Sequence, residues 1–172
     1  SAVAIVALKI NEDPCDNSRI REGLSWLLTN VNEDGGFGDT TDSVSNVSTT
    51  LLCYAAINYC QTGGNGTATL KRMEEWLAGS GITPDPVSIT RSILRFYRRD
   101  YTFSVPILAM LIVCGVIPPS SVKNIPVLPF ELTLMPQKVY RFFNLRVVSY
   151  ALPALIGVGV YLHMIRGNRF NP

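Results

Sequence analysis

Runs of apolar residues with helical spacing alternate with breaks rich in glycine or proline along the 172-residue chain. Ile20, Leu24, Leu27 and Leu28, for example, recur after one and two helical turns, which places them on one face of an α-helix. No segment alternates apolar and polar residues over the length of a convincing strand. The sequence therefore predicts an all-α fold built from antiparallel helix hairpins.

Capping residues and breaks divide the chain into eight predicted helices, over about 1–10, 16–30, 45–59, 69–78, 87–99, 104–116, 137–143 and 147–165. Asp16, Asn17 or Ser18 is expected to cap the second helix, and Ser45 or Asn46 the third.

Glycine and proline mark the breaks. Gly63–Gly66 is expected to end the third helix, and Pro106 to lie in the first turn of the sixth. Pro118 and Pro119 stop that helix, and residues 125–135 are expected to be extended or briefly helical.

The charges argue against nucleic acid as a partner. The formal net charge is only +2, whereas phosphate backbones are bound by clustered Lys and Arg. The one dense basic run is Arg91, Arg95, Arg98 and Arg99. Its helical spacing favours a solvated helix face over a site for an anion or a lipid headgroup.

The four cysteines, Cys15, Cys53, Cys60 and Cys114, form no Cys-x-x-Cys pair, and the chain has a single His. This set does not complete a common zinc site, so we expect no metal and no cofactor. Buried free thiols are favoured over disulfides, which fits a reducing cytoplasm.

The run Val147–Ile165 contains no Asp, Glu, Lys or Arg over nineteen residues. Its length suits a membrane span, but a helix buried on all sides in a helical protein is favoured. A third possibility is a monotopic membrane-binding surface upstream, with Lys138 and Arg141 at its edges. Its apolar residues would be Phe130, Leu132, Leu134, Met135, Tyr140, Phe142 and Phe143.

A family resemblance begins at Trp26-Leu27, which is followed at a fixed distance by Gly35-Gly36-Phe37. This arrangement resembles the repeated motif of the squalene/hopene cyclase and prenyltransferase superfamily. That motif has a small residue, an aromatic, an aliphatic, a Gln and then Gly-x-Trp. Here Val31 stands at the Gln position and Phe37 at the Trp position, so the repeat is degenerate.

The surrounding residues extend the resemblance over about 18–165. Residues 35–50 are similar to the Gly-Gly-Trp-Gly-Asp loop and following helix of bacterial squalene cyclase homologues. Residues 87–91, 125–132 and 147–154 continue the match in the same order.

The resemblance implies a partial α/α toroid in which residues 1–172 form a single domain or a fragment of a longer cyclase-like protein. The matched part is the family's N-terminal barrel, which helps to enclose an apolar cavity. The family's class II cyclisation, an isomerase or lyase reaction, starts from an Asp-x-Asp-Asp acid, and this chain has no such motif.

By the same resemblance, Ile93 falls near a position where an aromatic residue lines the cavity. Phe96, Tyr97, Phe103 and Tyr150 are alternative lining residues, although core packing accounts for each of them as well.

Two further groups have plain structural explanations. Asp39 and Asp42 precede a helix, and capping is favoured over catalysis for this pair. His163 is expected to be a hydrogen-bonded core or interface residue, since no Ser-His-Asp context surrounds it.

Three functions remain open from the sequence. The first is a non-catalytic portion of a squalene-hopene-cyclase-like protein of isoprenoid metabolism, which shapes a cavity for an isoprenoid or other lipid while a missing domain of the same protein supplies the acid. The second is a non-enzymatic toroid scaffold that binds a lipid or a protein. The third is a small membrane protein. The first implies a cytoplasmic location with peripheral contact to the membrane surface.

Overall fold

The computed structural model describes residues 1–60, 65–83, 85–98, 100–127 and 152–167. These residues form α1 (Ala2–Asn11), α2 (Asn17–Thr29), α3 (Val47–Cys60), α4 (Asn65–Gly79), α5 (Pro86–Tyr97), α6 (Tyr101–Val113) and α7 (Leu152–Arg166). Short 3-10 helices lie at Pro14–Asp16 and Pro119–Asn124. No strand occurs in these ranges, which confirms the all-α prediction.

Helix α3 lies at the centre of the described fold and contacts α1, α2, α4 and α6. Its buried side chains point in every direction around the helix axis. They are Ser48, Thr50, Leu51, Cys53, Ala55, Ala56, Ile57 and Cys60. Most are small, so neighbouring helices can approach the α3 backbone closely.

Consecutive helices pack in pairs: α1 with α2, α3 with α4, and α5 with α6. The connection from α5 to α6 is only residues 98–100, so the chain must turn back at once. This pairing is what the predicted helix hairpins require.

Of two helix starts for which the sequence predicts a capping residue, one forms the expected hydrogen bond. The Asn46 side-chain oxygen accepts a hydrogen bond from the Thr49 N–H at 2.9 Å, as expected for an N-cap of α3. Asp16 occupies the N-cap position of α2, but its carboxylate accepts from the Arg19 guanidinium at 2.8 Å and from no helix N–H. The predicted capping bond at this helix is therefore wrong.

The starts of α4 and α6 lie earlier than predicted. Helix α4 begins at Asn65, so Gly66 is helical and does not belong to a break. Helix α6 begins at Tyr101, because the Asp100 carboxylate accepts from the Thr102 N–H at 3.2 Å and caps it. Pro106 consequently lies inside the helix and not in its first turn. Because proline has no backbone N–H, the carbonyl one turn earlier receives no helical hydrogen bond from this position.

Arg166 fastens the end of α7 to the segment that follows α6. Its guanidinium donates to the Val122 carbonyl at 3.1 Å and also to the Ile125 carbonyl. Burial lowers the pKa of Arg166 because it removes water from the charged guanidinium. The hydrogen bonds to backbone carbonyls at the end of the 3-10 helix Pro119–Asn124 replace part of that hydration. Helix α7 is thereby held against α6.

Helix α7 has fifteen residues, which corresponds to about 22 Å of helix. Among the described helices, none is long and apolar enough to cross a membrane. Leu162 is 1% exposed whereas Met164 is 74% exposed, so the described residues of this chain bury only one side of the helix. Its burial on all sides within a larger helical protein stays a prediction. Residues 147–151, the predicted helix 137–143 and the proposed membrane-binding surface at 130–143 lie outside the described residues.

Ile93 of α5 provides a test of the core, since its side chain is fully buried. We expect Ile93→Ala to lower the free energy of unfolding by about 2–5 kcal/mol, because it leaves a cavity among close-packed neighbours. Urea unfolding followed by circular dichroism measures the change. Phe96→Ala, three residues further along the same helix and 66% exposed, is the matched control and should change stability by less than about 1 kcal/mol.

Candidate functional site

The loop between α2 and α3 is closely packed at its glycines. Gly35 has φ +90°, and a Cβ atom there would lie 2.9 Å from the Arg72 carbonyl oxygen. A Cβ atom on Gly36 would lie 2.6 Å from the Ser45 side chain and 2.9 Å from the Trp76 ring. These positions therefore require glycine for the loop to pack against α4.

Asp34 is the hydrogen-bonding centre of this loop. Its carboxylate accepts from the Gly36 N–H at 2.9 Å, the Ser45 hydroxyl at 2.7 Å and the Trp76 indole N–H at 2.9 Å. Desolvation alone would raise the pKa of the Asp34 carboxyl, but these hydrogen bonds outweigh it and lower the pKa below its ordinary value.

Arg72 of α4 adds a second connection. Its guanidinium donates to the carbonyls of Asn32 at 3.2 Å and Glu33 at 2.9 Å. The Asn32 amide in turn donates to the Ser45 hydroxyl at 2.9 Å. The Asp34 carboxylate and the Arg72 guanidinium therefore hold the loop between α2 and α3 in place.

The predicted family motif is mostly buried. Leu27, Gly35, Gly36 and Phe37 are buried, whereas Trp26 is 45% exposed. The Phe37 N–H donates to the Thr50 hydroxyl of α3 at 2.9 Å. The polar connection between this loop and its neighbours is thus made by Thr50 and Asp34.

Asp39 lies beside the first turn of α3. Its carboxylate accepts from the Thr49 hydroxyl at 2.6 Å and the Asn46 amide at 2.9 Å, and these bonds lower its pKa. Asp39 thus braces the N-cap residue of α3 rather than binding helix N–H groups itself. Asp42 is exposed.

An apolar groove runs between α1, α6 and α7, with a volume of about 480 Å³. This volume falls within the range of small-molecule sites, roughly 300–1,000 Å³. The described residues that line it carry no charge, and their polar side-chain groups are the hydroxyls of Thr102 and Tyr161. The apolar ones are Val3, Val6, Ala7, Ile10, Leu52, Phe103, Pro106, Ile107, Ala109, Met110, Val113, Ala154, Gly157 and Val158.

The residues predicted to line a cavity do not come together in this groove. Phe103 is one of its lining residues. Ile93 is fully buried in the core, and Phe96 lies exposed at the end of α5. The Tyr97 hydroxyl donates to the Ser48 hydroxyl of α3 at 3.0 Å. Tyr150 lies outside the described residues.

Sequence reasoning missed the contributions of α1 and α7, such as Val6, Gly157 and Tyr161. A usable signal was present, since the stretches of α6 and α7 are apolar on nearly every face. Helices of this kind have more apolar surface than one neighbour covers, so a groove between them is a natural consequence.

Cys53, Cys60 and Cys114 are buried free thiols, as predicted, whereas Cys15 is exposed, so the prediction of burial is wrong for this thiol. Burial raises the pKa of Cys53 and of Cys114 to about 12, and it also raises the pKa of Cys60. These groups stay protonated at neutral pH and are poor nucleophiles.

The remaining titratable candidates do not assemble into a site. In the ranges that the structure describes, no cluster of three or more His, Cys, Asp or Glu side chains suits a metal ion. His163 lies at an exposed position of α7, so of its two expected settings the core position is wrong, and the interface position stays a prediction.

Comparison of the chain with models of protein families, with curated proteins and with solved structures finds no match.

The lowered pKa values of Asp34 and Asp39 predict a specific acid sensitivity. A carboxyl whose pKa is lower in the folded chain than in the unfolded chain stabilises the folded state at pH values above its unfolded pKa, which is near 4. This stabilisation is lost as the pH falls through the pKa of the folded state. We expect the urea midpoint to drop between about pH 6 and about pH 3. The drop should be smaller in the Asp34→Asn/Asp39→Asn variant. An equal drop in both proteins would contradict the assignment of this acid sensitivity to Asp34 and Asp39. Asp42→Asn is the control for the loss of an exposed loop carboxylate.

Proposed function

We propose that this chain is a non-catalytic portion of a squalene-hopene-cyclase-like protein and that its apolar groove holds an isoprenoid or another neutral lipid. The observation that carries the proposal is the groove between α1, α6 and α7, with its uncharged lining. The motif around Gly35-Gly36-Phe37 supports the choice of family.

The lining favours a hydrocarbon ligand. Burial of apolar surface contributes about 25 cal/mol per Å², so a long hydrocarbon gains affinity from the walls alone. A diphosphate group would lose its hydration there without meeting a cationic side chain among the described lining residues. Thr102 and Tyr161 offer hydroxyls that suit at most a weakly polar group.

A partial α/α toroid is the arrangement we propose for the helix pairs. Support comes from the paired packing of α1 with α2, α3 with α4 and α5 with α6, and from the inner position of α3. Glycine-rich loop packing between α2 and α3 agrees with the family's motif.

The carboxylates support a non-catalytic role. Protonation of an alkene requires a carboxylic acid that is desolvated and held protonated. Asp34, Asp39 and Asp85 have lowered pKa values because hydrogen bonds stabilise their ionised forms. In this proposal the acid therefore comes from a segment outside these 172 residues.

A non-enzymatic lipid-binding scaffold is the second candidate, favoured by the combination of an apolar groove with a chain that lacks Asp-x-Asp-Asp. The two candidates differ in whether the coding sequence continues beyond Pro172 into such an acid motif.

Gly157→Leu tests the groove directly. Gly157 lines the groove within α7, and a Cβ atom there would meet nothing within 4 Å, so the larger side chain fills the groove without strain. We expect at least about tenfold weaker binding of the neutral fluorescent polyene diphenylhexatriene, and of squalene as its competitor, with unchanged helicity.

Gly79→Leu is the matched control, since Gly79 also meets nothing within 4 Å and lies at the end of α4 away from the groove. It should bind the probe as the unaltered chain does. Equal affinity of all three proteins would exclude the groove as the binding site.

The placement of the acid is tested by turnover. The purified 172-residue chain, incubated with squalene and extracted for chromatography, should give no cyclised product, because the chain has no Asp-x-Asp-Asp motif and hydrogen bonds favour the ionised forms of Asp34, Asp39 and Asp85. Product formation by this chain alone would overturn the non-catalytic assignment.

A further inference from the structure

A second groove lies between α5, the first residue of α3 and the connector from α4 to α5, and its volume is about 570 Å³. Its described lining residues are Val47, Ser80, Gly81, Ile82, Ser92, Arg95, Phe96 and Arg98. The two arginines are exposed, whereas Ile82 is buried and Val47 is half-buried. Charged side chains therefore border a partly apolar floor, and we call this feature the basic groove.

The two positive charges of the basic groove are not neutralised by the described part of the chain. Within these ranges, neither the Arg95 nor the Arg98 guanidinium has a carboxylate at salt-bridge distance. The acids that flank α5 in the sequence are engaged in capping. Asp85 accepts from the first N–H groups of α5, and Asp100 accepts from the Thr102 N–H of α6. Both guanidinium groups are therefore available to an anionic partner.

The backbone of Arg98 is strained. The Asp100 N–H donates to the Tyr97 carbonyl at 2.9 Å, which closes a tight turn with Arg98 at its second position. Arg98 has φ 52° and ψ −108° there, a combination that glycine adopts readily and that costs free energy for a residue with a Cβ atom. Strained residues of this kind cluster at binding sites. The arginine at a position that suits glycine thus indicates a binding role independently of the charge.

We propose that the basic groove binds an acidic peptide segment of a partner protein. Arg95 and Arg98 lie three residues apart, so their side chains leave the same side of α5. Each guanidinium can donate paired hydrogen bonds to a Glu or Asp carboxylate of the peptide. An aliphatic side chain between these acids lies on the floor formed by Val47 and Ile82, where burial of apolar surface adds affinity.

Charge and shape together favour a peptide over other anionic partners. An isolated phosphate gains nothing from an apolar floor, and a headgroup layer is too broad to fill a concave groove. Single-stranded nucleic acid binds to basic grooves with several stacking rings, whereas Phe96 is the one aromatic side chain among the described lining residues. An acidic segment with apolar residues between its acids complements both the arginines and the floor.

Fluorescence anisotropy of a labelled peptide tests the proposal with the 172-residue chain. The probe alternates Glu with Leu. One control peptide has Gln at every Glu position, and the other has Ser at every Leu position. We expect the probe to bind and added salt to weaken its binding. Each control peptide should bind at least about tenfold more weakly, because it lacks the complement of either the arginines or the floor.

Arg95→Gln/Arg98→Gln should weaken binding of the probe by about tenfold or more, because its carboxylates lose their charged donors. Arg21→Gln/Lys71→Gln is the matched control, since it removes the same number of exposed charges from α2 and α4. Its affinity for the probe should stay within about twofold of that of the unaltered chain. Circular dichroism verifies that both variants remain helical.

Arg98→Gly separates binding from folding. Glycine adopts the backbone conformation of residue 98 without strain, so this variant should unfold at the same temperature as the unaltered chain or at a higher one. It should nevertheless bind the probe at least about threefold more weakly, because one guanidinium is lost. A lower unfolding temperature together with unchanged affinity would assign Arg98 to the fold alone and overturn its binding role.

Three further outcomes would overturn the proposal. One is equal affinity for the Glu peptide and the Gln peptide, and another is an equal loss in the arginine variant and its control. The third is an absence of probe binding, and binding of phosphatidylglycerol vesicles or of an oligothymidylate in its place would assign the groove to one of those partners. Gly157→Leu should bind the probe as the unaltered chain does, so a failure of the proposed lipid groove is distinguishable from a failure of the basic groove.

Discussion

Helix α3 is enclosed by α1, α2, α4 and α6, and the positions of these helices are set by their contact with it. A helix that contacts four neighbours tolerates little bulk, and the fully buried Ala55 and Ala56 agree with this constraint. The loop before α3 is packed against this helix as well, since Phe37 is buried and its backbone N–H donates to the Thr50 hydroxyl. The apolar groove follows from this packing, because α1 and α6 each contact α3 and also line the groove together with α7.

Charged groups in this fold mainly hold hydrogen-bond donors and acceptors of the backbone and side chains in place. Asp34 receives three hydrogen bonds, Asp39 braces the start of α3, and Arg166 satisfies carbonyls beyond α6. Ionised carboxylates with several donors are suited to stabilising loops and unsuited to giving up a proton to a hydrocarbon. The charged groups thus stabilise loops and helix ends, whereas the described lining of the apolar groove carries no charge, and both features agree with the proposal of lipid binding without catalysis.

The sequence predicted the local features of this fold well. The face of α2 that contains Leu27, the Asn46 cap and the burial of three thiols all follow from spacing and residue chemistry, and each is confirmed. The start of α6 was missed because the Asp100 cap outweighs the cost of Pro106 inside the helix. The groove was missed because it depends on how α1, α6 and α7 meet, which periodicity within one helix does not encode.

The positions of the cysteines have a practical consequence. Cys15 lies exposed at the entrance to α2, whereas Cys53, Cys60 and Cys114 are enclosed by packed side chains. A maleimide reagent reacts with accessible thiolates, so a single fluorophore or spin label can be attached at Cys15 without mutagenesis. The native chain thus provides its own reporter position for spectroscopy.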